Sequence, residues 1–243
     1  MLGKHYSKDS EGNTIIAEVE LLQSKVGNLY YRPKTSDKTM LKESFSDYPT
    51  INCKDRVVMD CGSNIGGFIL KACQDGAKSI TSYEPEPLNL EILNLNASML
   101  KEQYPNIVID IQDKALCAGN EKELTFNLNT SSNSACSGSL IKLNRSFPVQ
   151  VKACNFWEEV DRIKPDLIKM DIEGGEFDLI TTEFPEFVKD VVIELHGFRK
   201  VNNEKMLKYV ESIENNTRYK VVNKKICIVF GGPAIIIMHF SRV

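Results

Sequence analysis

From Asp55 onward, short β-branched runs alternate with stretches patterned as helices: Arg56–Asp60, Ile65–Gln74, Ser79–Glu84, Pro87–Lys101 and Ile107–Ile111. A chain written this way sets strands side by side and covers them with the intervening helices, because each helix must return its apolar stripe to the sheet. The stripe is clearest over 87–101, where Leu88, Ile92, Leu95 and Met99 recur behind Pro87, a residue suited to a first helical turn. The rhythm breaks after Leu124–Leu128, a strand that leads into the small, polar loop Thr130–Ser139. It resumes with Val149–Ala153, a short amphipathic helix at Phe156–Ile163, then Asp166–Ile172, Glu176–Phe184, Val191–His196 and Asn203–Asn215. Three closing runs, Tyr219–Val222, Ile226–Phe230 and Ala234–Phe240, predict an antiparallel hairpin at one sheet edge. The expected class is α/β, with helices on both faces of a mostly parallel sheet.

At 243 residues, 42% of them hydrophobic, the chain can bury a proper core, which excludes disorder, collagen and small disulfide scaffolds. The length suits one large domain, 51–243, with a modest extension, 1–50, whose strands and helix (Thr14–Glu20, Leu29–Arg32, Lys38–Phe45) pack on it. A formal charge of −3 gives no footprint for a phosphate backbone, so nucleic acid is not an expected partner. Seven cysteines scattered singly, without a CxxC pair, suggest reduced thiols and a cytoplasmic protein. The start carries no apolar leader, and the longest late apolar stretch, Ala234–Met238, is far below the roughly 18 residues of a membrane span. A soluble, non-secreted chain is expected. His5 and His239 have no charged sequence neighbourhood that suggests a site, and Trp157 reads as core.

The run Val57-Val58-Met59-Asp60-Cys61-Gly62-Ser63-Asn64-Ile65-Gly66-Gly67 sets a buried strand, an acid at its carboxyl end and spaced glycines ahead of an apolar helix. Open α/β sheets bind ligands at that edge. Gly62 and Gly66 permit a sharp turn and close approach, with Ser63 and Asn64 between them, while Asp60 can orient loop amides or meet a cationic group. The spelling D-x-G-x-N-x-G is not the dinucleotide fingerprint, and an acid in the loop mouth disfavours a pyrophosphate. It fits S-adenosylmethionine, whose amino and sulfonium groups are positive. Glu84, twenty-four positions after Asp60 and followed by Pro85, stands where a carboxylate accepts ribose hydroxyls. Gln112 and Asp113 end the third strand and are the candidates beside adenine. A nicotinamide-dependent oxidoreductase is the competing enzyme reading, weakened by the missing third glycine.

On these residues the sequence resembles the FkbM-type branch of S-adenosylmethionine-dependent methyltransferases, over about residues 50 to 200. The matching pieces are Val57–Gly67, Ser82–Asn89, the Ala115-Leu116 step, the Ser-rich loop ending Ser139-Leu140, and Asp166–Glu176. In the last, Lys169, Asp171, Glu173, Gly174 and Glu176 spell K-x-D-x-E-G-x-E, the most specific piece, and Val192–His196 is similar to the following strand. The resemblance implies a Rossmann-like class I methyltransferase fold, with a seven-stranded sheet and an antiparallel last strand.

Period two puts Lys169, Asp171 and Glu173 on one side of a strand, at the end where the sulfonium methyl is expected. Gly174 and Gly175 permit a turn into a helix that starts at Glu176. A hydroxyl acceptor needs a general base, and the candidates are Asp171, Glu173 and His196, with Glu194 placed to orient the imidazole from two residues away. A divalent ion on Asp171, Glu173 and His196 is conceivable, yet no spacing rule selects it and no metal is expected. The loop 130–139 is a source of donors to a polar acceptor. The expected reaction is O-methylation of a small-molecule or glycan-like acceptor. A nucleic-acid methyltransferase lacks support, because there is no Asn/Asp-Pro-Pro-aromatic stretch, no Pro-Cys nucleophile and no basic run. A non-catalytic binding module is opposed by the intact acids. Acceptor identity and oligomeric state are left open.

Overall fold

The computed structural model describes residues 3–8, 14–24, 27–129, 138–139, 146–197, 200–228 and 234–243. In chain order the elements are β1 (Gly3–Lys8), β2 (Thr14–Ser24), β3 (Gly27–Tyr31), α1 (Asp37–Ser46), β4 (Val57–Cys61), α2 (Gly67–Asp75), β5 (Ser79–Tyr83), α3 (Pro87–Gln103) and β6 (Val108–Gln112). They continue with β7 (Ala115–Cys117), β8 (Glu123–Asn129), β9 (Gly138–Ser139), β10 (Ser146–Asn155), α4 (Phe156–Ile163), β11 (Leu167–Met170), α5 (Glu176–Leu179), β12 (Asp190–Gly197), α6 (Lys200–Glu214), β13 (Tyr219–Ile228) and β14 (Ala234–Arg242).

Seven strands form the main sheet in the order β13-β14-β12-β11-β4-β5-β6, parallel except at β14, which runs antiparallel to both neighbours. Alternation along the strands sends Val58, Ile80 and Leu167 to the face under α2 and α3. Met59, Ile168 and Met170 go to the face under α4 and α6. Strands buried on both faces read as continuous apolar runs, which is why β4 and β11 stand out in the sequence. Two smaller sheets flank this core: β1-β2-β3, antiparallel throughout, and β7-β10-β8-β9, whose Ala115, Phe126 and Val151 make a separate cluster. The second small sheet gathers the pieces that break the sequence rhythm. Among the described residues no helix is long and apolar enough to cross a membrane.

Several expectations need correction. The buried stripe of α3 is rotated: Asn89, Ile92, Leu93, Asn96, Ala97 and Leu100 face inward, while Leu88, Leu95 and Met99 are half-buried. Asparagine earns its buried place by hydrogen bonding to a neighbouring strand. Asn96 accepts from the Tyr30 amide at 2.6 Å and donates to the carbonyls of Tyr30 (3.0 Å) and Ile65 (2.7 Å). The helix predicted over 176–184 is one turn long; Ile180 is extended, and β-branched Thr181 and Thr182 with Pro185 close behind favour extended backbone. The first two of the three terminal runs are one strand, β13, with a register shift between Val221 and Asn223. His239 does have a charged neighbour, because strand pairing carries its Nε2 to 3.1 Å from Asp190, and its Nδ1 lies 2.8 Å from the Thr50 hydroxyl. Trp157 packs on Phe156 and Phe184, as core. The Ser-rich loop lies outside the described residues except for Gly138 and Ser139, and so does the side chain of His5.

The segment before β4 is tied down by a buried ion pair. Arg32 donates from Nε and Nη2 to the two oxygens of Asp37, each at 2.9 Å, and from Nη2 to Asn89 at 2.7 Å. Both charges are buried, so α1 is anchored to α3 by groups that water cannot replace. Asp37→Ala, which strands the guanidinium, is expected to lower stability by about 3–5 kcal/mol in urea unfolding of the full chain.

Candidate functional site

Strand order reverses between β4 and β11, and the loops leaving their carboxyl ends diverge to open a cleft. The cleft has two adjoining hollows that share Met40, Gly62, Asn64, Asp171 and Glu173. The first runs past Tyr83, Glu84 and Pro85 to Lys114, Ala115, Leu116 and Phe126. The second, about 330 Å³, at the low end for a small-molecule site, is walled by α1, Tyr48, Glu194, His196 and the terminal hairpin.

Lys169 joins the two strand ends. Its buried ammonium donates to the Gly62 carbonyl at 2.6 Å and lies 3.3 Å from Asp60 and 3.7 Å from Asp171. Burial lowers its pKa, but Asp60 and Asp171 outweigh burial and hold it above the usual lysine value. Asp60 is therefore spent inside the protein, on Lys169 and, at 3.4 Å, on the Ser82 hydroxyl. It lines neither hollow. The cationic group it meets is a lysine of its own chain.

Above Asp60 the loop is moulded by close approach. A Cβ on Gly62 (φ +83°) would stand 1.7 Å from the Asp171 carbonyl oxygen, so only glycine fits. The amides of Gly62 and Ser63 donate to the Tyr83 carbonyl, and Gly66 (φ +95°) makes the turn into α2. Glu84 accepts from the Asn64 amide at 2.8 Å and the Glu86 amide at 2.9 Å, which binds the second strand end to the loop. Burial first, and then the charge of Glu86, push Glu84 up to about 8 against those amide bonds. Pro85 lines the first hollow beside it. Gln112 and Asp113 line neither hollow: Gln112 pairs with Asp110 and Lys114, and Asp113 with Lys152. The wall at that point is Lys114, Ala115 and Leu116.

The acids predicted for chemistry do converge. Glu173 takes a left-handed φ of +57°, a sparsely populated conformation for a side-chain-bearing residue. Its carboxylate lies 3.5 Å from His196 Nε2, with Glu194 at 3.5 Å and Asp171 at 3.9 Å. The acid that orients the imidazole is Glu176 rather than Glu194. Glu176 sits 3.0 Å from Nδ1 and also accepts from the amides of Ile172 and Gly174. Burial pulls the His196 pKa down, but the Glu176 hydrogen bond and the charges of Glu173 and Asp171 push it up to about 10. That shift favours the protonated ring at neutral pH, which makes it a charge partner of the acids around it. Burial pushes Glu173 up to about 7 against the pull of His196. Asp171, Glu173 and His196 place ligand atoms within 4.8 Å of one another, a set that could hold a divalent ion if the imidazolium first released its proton.

Sequence reasoning missed Met40, Glu43, Tyr48, Lys114 and Phe126. Met40, Glu43 and Tyr48 share the α1 segment whose Leu41 is buried, an amphipathic signal readable only once α1 is known to cross the cleft.

The methyltransferase FkbM domain model matches residues 60–220. The chain belongs to the FkbM methyltransferase family. This family member is an S-adenosylmethionine-dependent enzyme of Rossmann-like fold. Among solved structures it is similar to the FkbM methyltransferase of Methylobacillus flagellatus KT (16% identity, 82% of this chain and 47% of that one, TM-score 0.48). It is also similar to an O-methyltransferase from Bacillus cereus in complex with S-adenosylhomocysteine (8%, 83% and 81%, 0.47). A third is the M. jannaschii tRNA m1G37 methyltransferase (11%, 98% and 60%, 0.47). The chain thus spans about half the length of the M. flagellatus protein. No curated protein matches it significantly.

Lys169→Met in this methyltransferase is expected to cost about 3–5 kcal/mol, because it leaves Asp60 buried and unpaired. Urea unfolding measures it, and a loss under about 1 kcal/mol would remove Lys169 from its central place.

Proposed function

We propose that this methyltransferase O-methylates a hydroxyl of a small-molecule or glycan-like acceptor in the cytoplasm. The observation that carries this reading is the position of Asp171 and Glu173 on the wall common to both hollows. A group there touches whatever lies on either side. In this reading 51–243 is the methyltransferase domain and 1–50 an extension that completes its cleft. Free thiols at all six described cysteines support a reducing compartment.

The first hollow fits an adenosyl group. It offers Leu116, Ala115 and Phe126 as apolar wall, the Glu84 carboxylate at a strand end, and the close backbone approach at Gly62. Gly62, Ser63, Asn64 and Gly66 would shape the loop, Glu84 and Pro85 would meet the ribose, and Lys114 to Leu116 would meet the base. Asp60, Gln112 and Asp113 act from behind. When bound, S-adenosylmethionine supplies an electrophilic methyl whose sulfonium leaves as a neutral thioether.

The chain's residues then position the acceptor and receive its proton. A carbon–oxygen bond forms as the carbon–sulfur bond breaks, and the hydroxyl proton passes to Glu173 or Asp171. His196 is not the acceptor of that proton, since it already carries one; it fixes the two carboxylates through Nε2 while Glu176 holds Nδ1.

Two measurements test this. Glu173→Gln and Asp171→Asn should each lower kcat by about 10²–10⁴-fold in an S-adenosylhomocysteine release assay, and a wild-type rate in both would remove general-base catalysis by this pair. In calorimetry, ribose hydroxyls donating to Glu84 favour its carboxylate, so binding expels the proton that Glu84 holds below about pH 8. Affinity for S-adenosylhomocysteine should rise from pH 6 to 8 by up to about tenfold per unit and level off above. Glu84→Gln should flatten the profile, while NAD should not bind.

A further inference from the structure

The second hollow is richer in acid than its contents require. Glu43, Asp47 and Glu194 line it and not the first hollow, and Asp171 and Glu173 join them at the junction. Its cations already have partners: Lys169 has Asp60 at 3.3 Å, Lys225 has Asp47 at 2.7 Å, and His196 has Glu176 at 3.0 Å. Glu43 has no ion pair among the described residues, and the nearest cation to Glu194 is the shared imidazolium at 3.5 Å.

Tyr48 supplies an independent sign. The residue is 5% exposed and lines this hollow, yet its hydroxyl has no hydrogen-bond partner among the described residues. Burial, then the charges of Asp171 and Glu194, raise its pKa well above the ordinary value, so the phenol stays protonated and available as a donor. A buried phenol aimed into an acid-walled space suits a ligand that brings its own oxygen atoms and a positive charge.

We propose that the acceptor is a small polyol bearing a protonated amine, an amino sugar or amino alcohol, whose ammonium answers Glu43 and Glu194 and whose hydroxyls meet Tyr48. This rests on the O-methyltransferase reading and names its substrate class. A protonated amine has no lone pair to attack with, so the hydroxyl beside Asp171 and Glu173 remains the nucleophile. An acceptor carrying phosphate or carboxylate is repelled by the same wall, because like charges in a half-buried hollow are weakly screened.

The test uses the full chain saturated with S-adenosylhomocysteine and three matched probes: D-glucosamine, D-glucose and D-glucuronic acid. Ligand-observed NMR titration should give glucosamine a dissociation constant at least about tenfold below that of glucose, a difference of about 1.4 kcal/mol, with glucuronate the weakest. Glu43→Gln should erase the preference and Glu43→Lys should turn it toward glucuronate. With S-adenosylhomocysteine still bound, equal or better binding of glucose or glucuronate, or binding of none of the three, overturns the amine assignment alone. Failure of wild-type protein to bind S-adenosylhomocysteine overturns the function on which it rests.

Discussion

The ammonium of Lys169 holds together the two strand ends on which the cleft depends. It projects from the central strand β11, meets Asp60 on β4, donates to the Gly62 carbonyl and stands within 3.7 Å of Asp171. A single buried cation thus fixes where the first loop turns and where the second set of acids begins. Desolvating an ion is expensive, and the arrangement persists because two carboxylates and a carbonyl compensate it. The same contact explains why Gly62 has no alternative: the loop is drawn so close to Asp171 that a Cβ would overlap its carbonyl.

From that point the site is assembled by layers of buried polar groups tied to backbone or to an opposite charge, although one oxygen of Glu176 and one of Asp60 are left without a hydrogen bond. Glu84 gathers the amides of Asn64 and Glu86, Glu176 gathers those of Ile172 and Gly174 and the imidazole of His196, and Asn96 gathers the edge of β3. Such networks rigidify a cleft because partial satisfaction is costlier than none. The left-handed backbone at Glu173 fits this pattern, since the surrounding contacts over-determine it and aim its carboxylate at His196. The extension contributes as much as the core: Arg32 and Asp37 lock α1 across the second hollow, and Gly67 lets Ser44 press onto the start of α2.

Much of this was legible in the chain itself. The strand-to-loop run at 57–67, the acid at Glu84 and the charged run at 169–176 all lie on the cleft or directly behind it, because period two and strand-end glycines are local rules that the sequence displays. Errors arose where a partner from elsewhere decided the outcome. Asp60 looked like a ligand group until Lys169 was seen to claim it, and Glu194 looked like the histidine's partner until the one-turn helix α5 delivered Glu176. His196 looked like a base because its four carboxylate neighbours, Asp171, Glu173, Glu176 and Glu194, come together from two different segments. Gln112 and Asp113 end the third strand as expected, but β7 follows at once and presents Lys114 to Leu116 instead.

Sequence by itself determined the α/β class, the family, the edge of the sheet at which the cleft opens and the acids that gather there. These follow from hydrophobic periodicity, glycine placement and short motifs, which act within a few residues. Tertiary structure alone decided which acids are internal counterions and which face the cleft, that four carboxylates surround the imidazole, and that α1 and the terminal hairpin wall the second hollow. The physical reason is that burial and ion pairing depend on groups distant in the chain: a carboxylate's role is set by the cation and the solvent it meets after folding, and no local spacing encodes either.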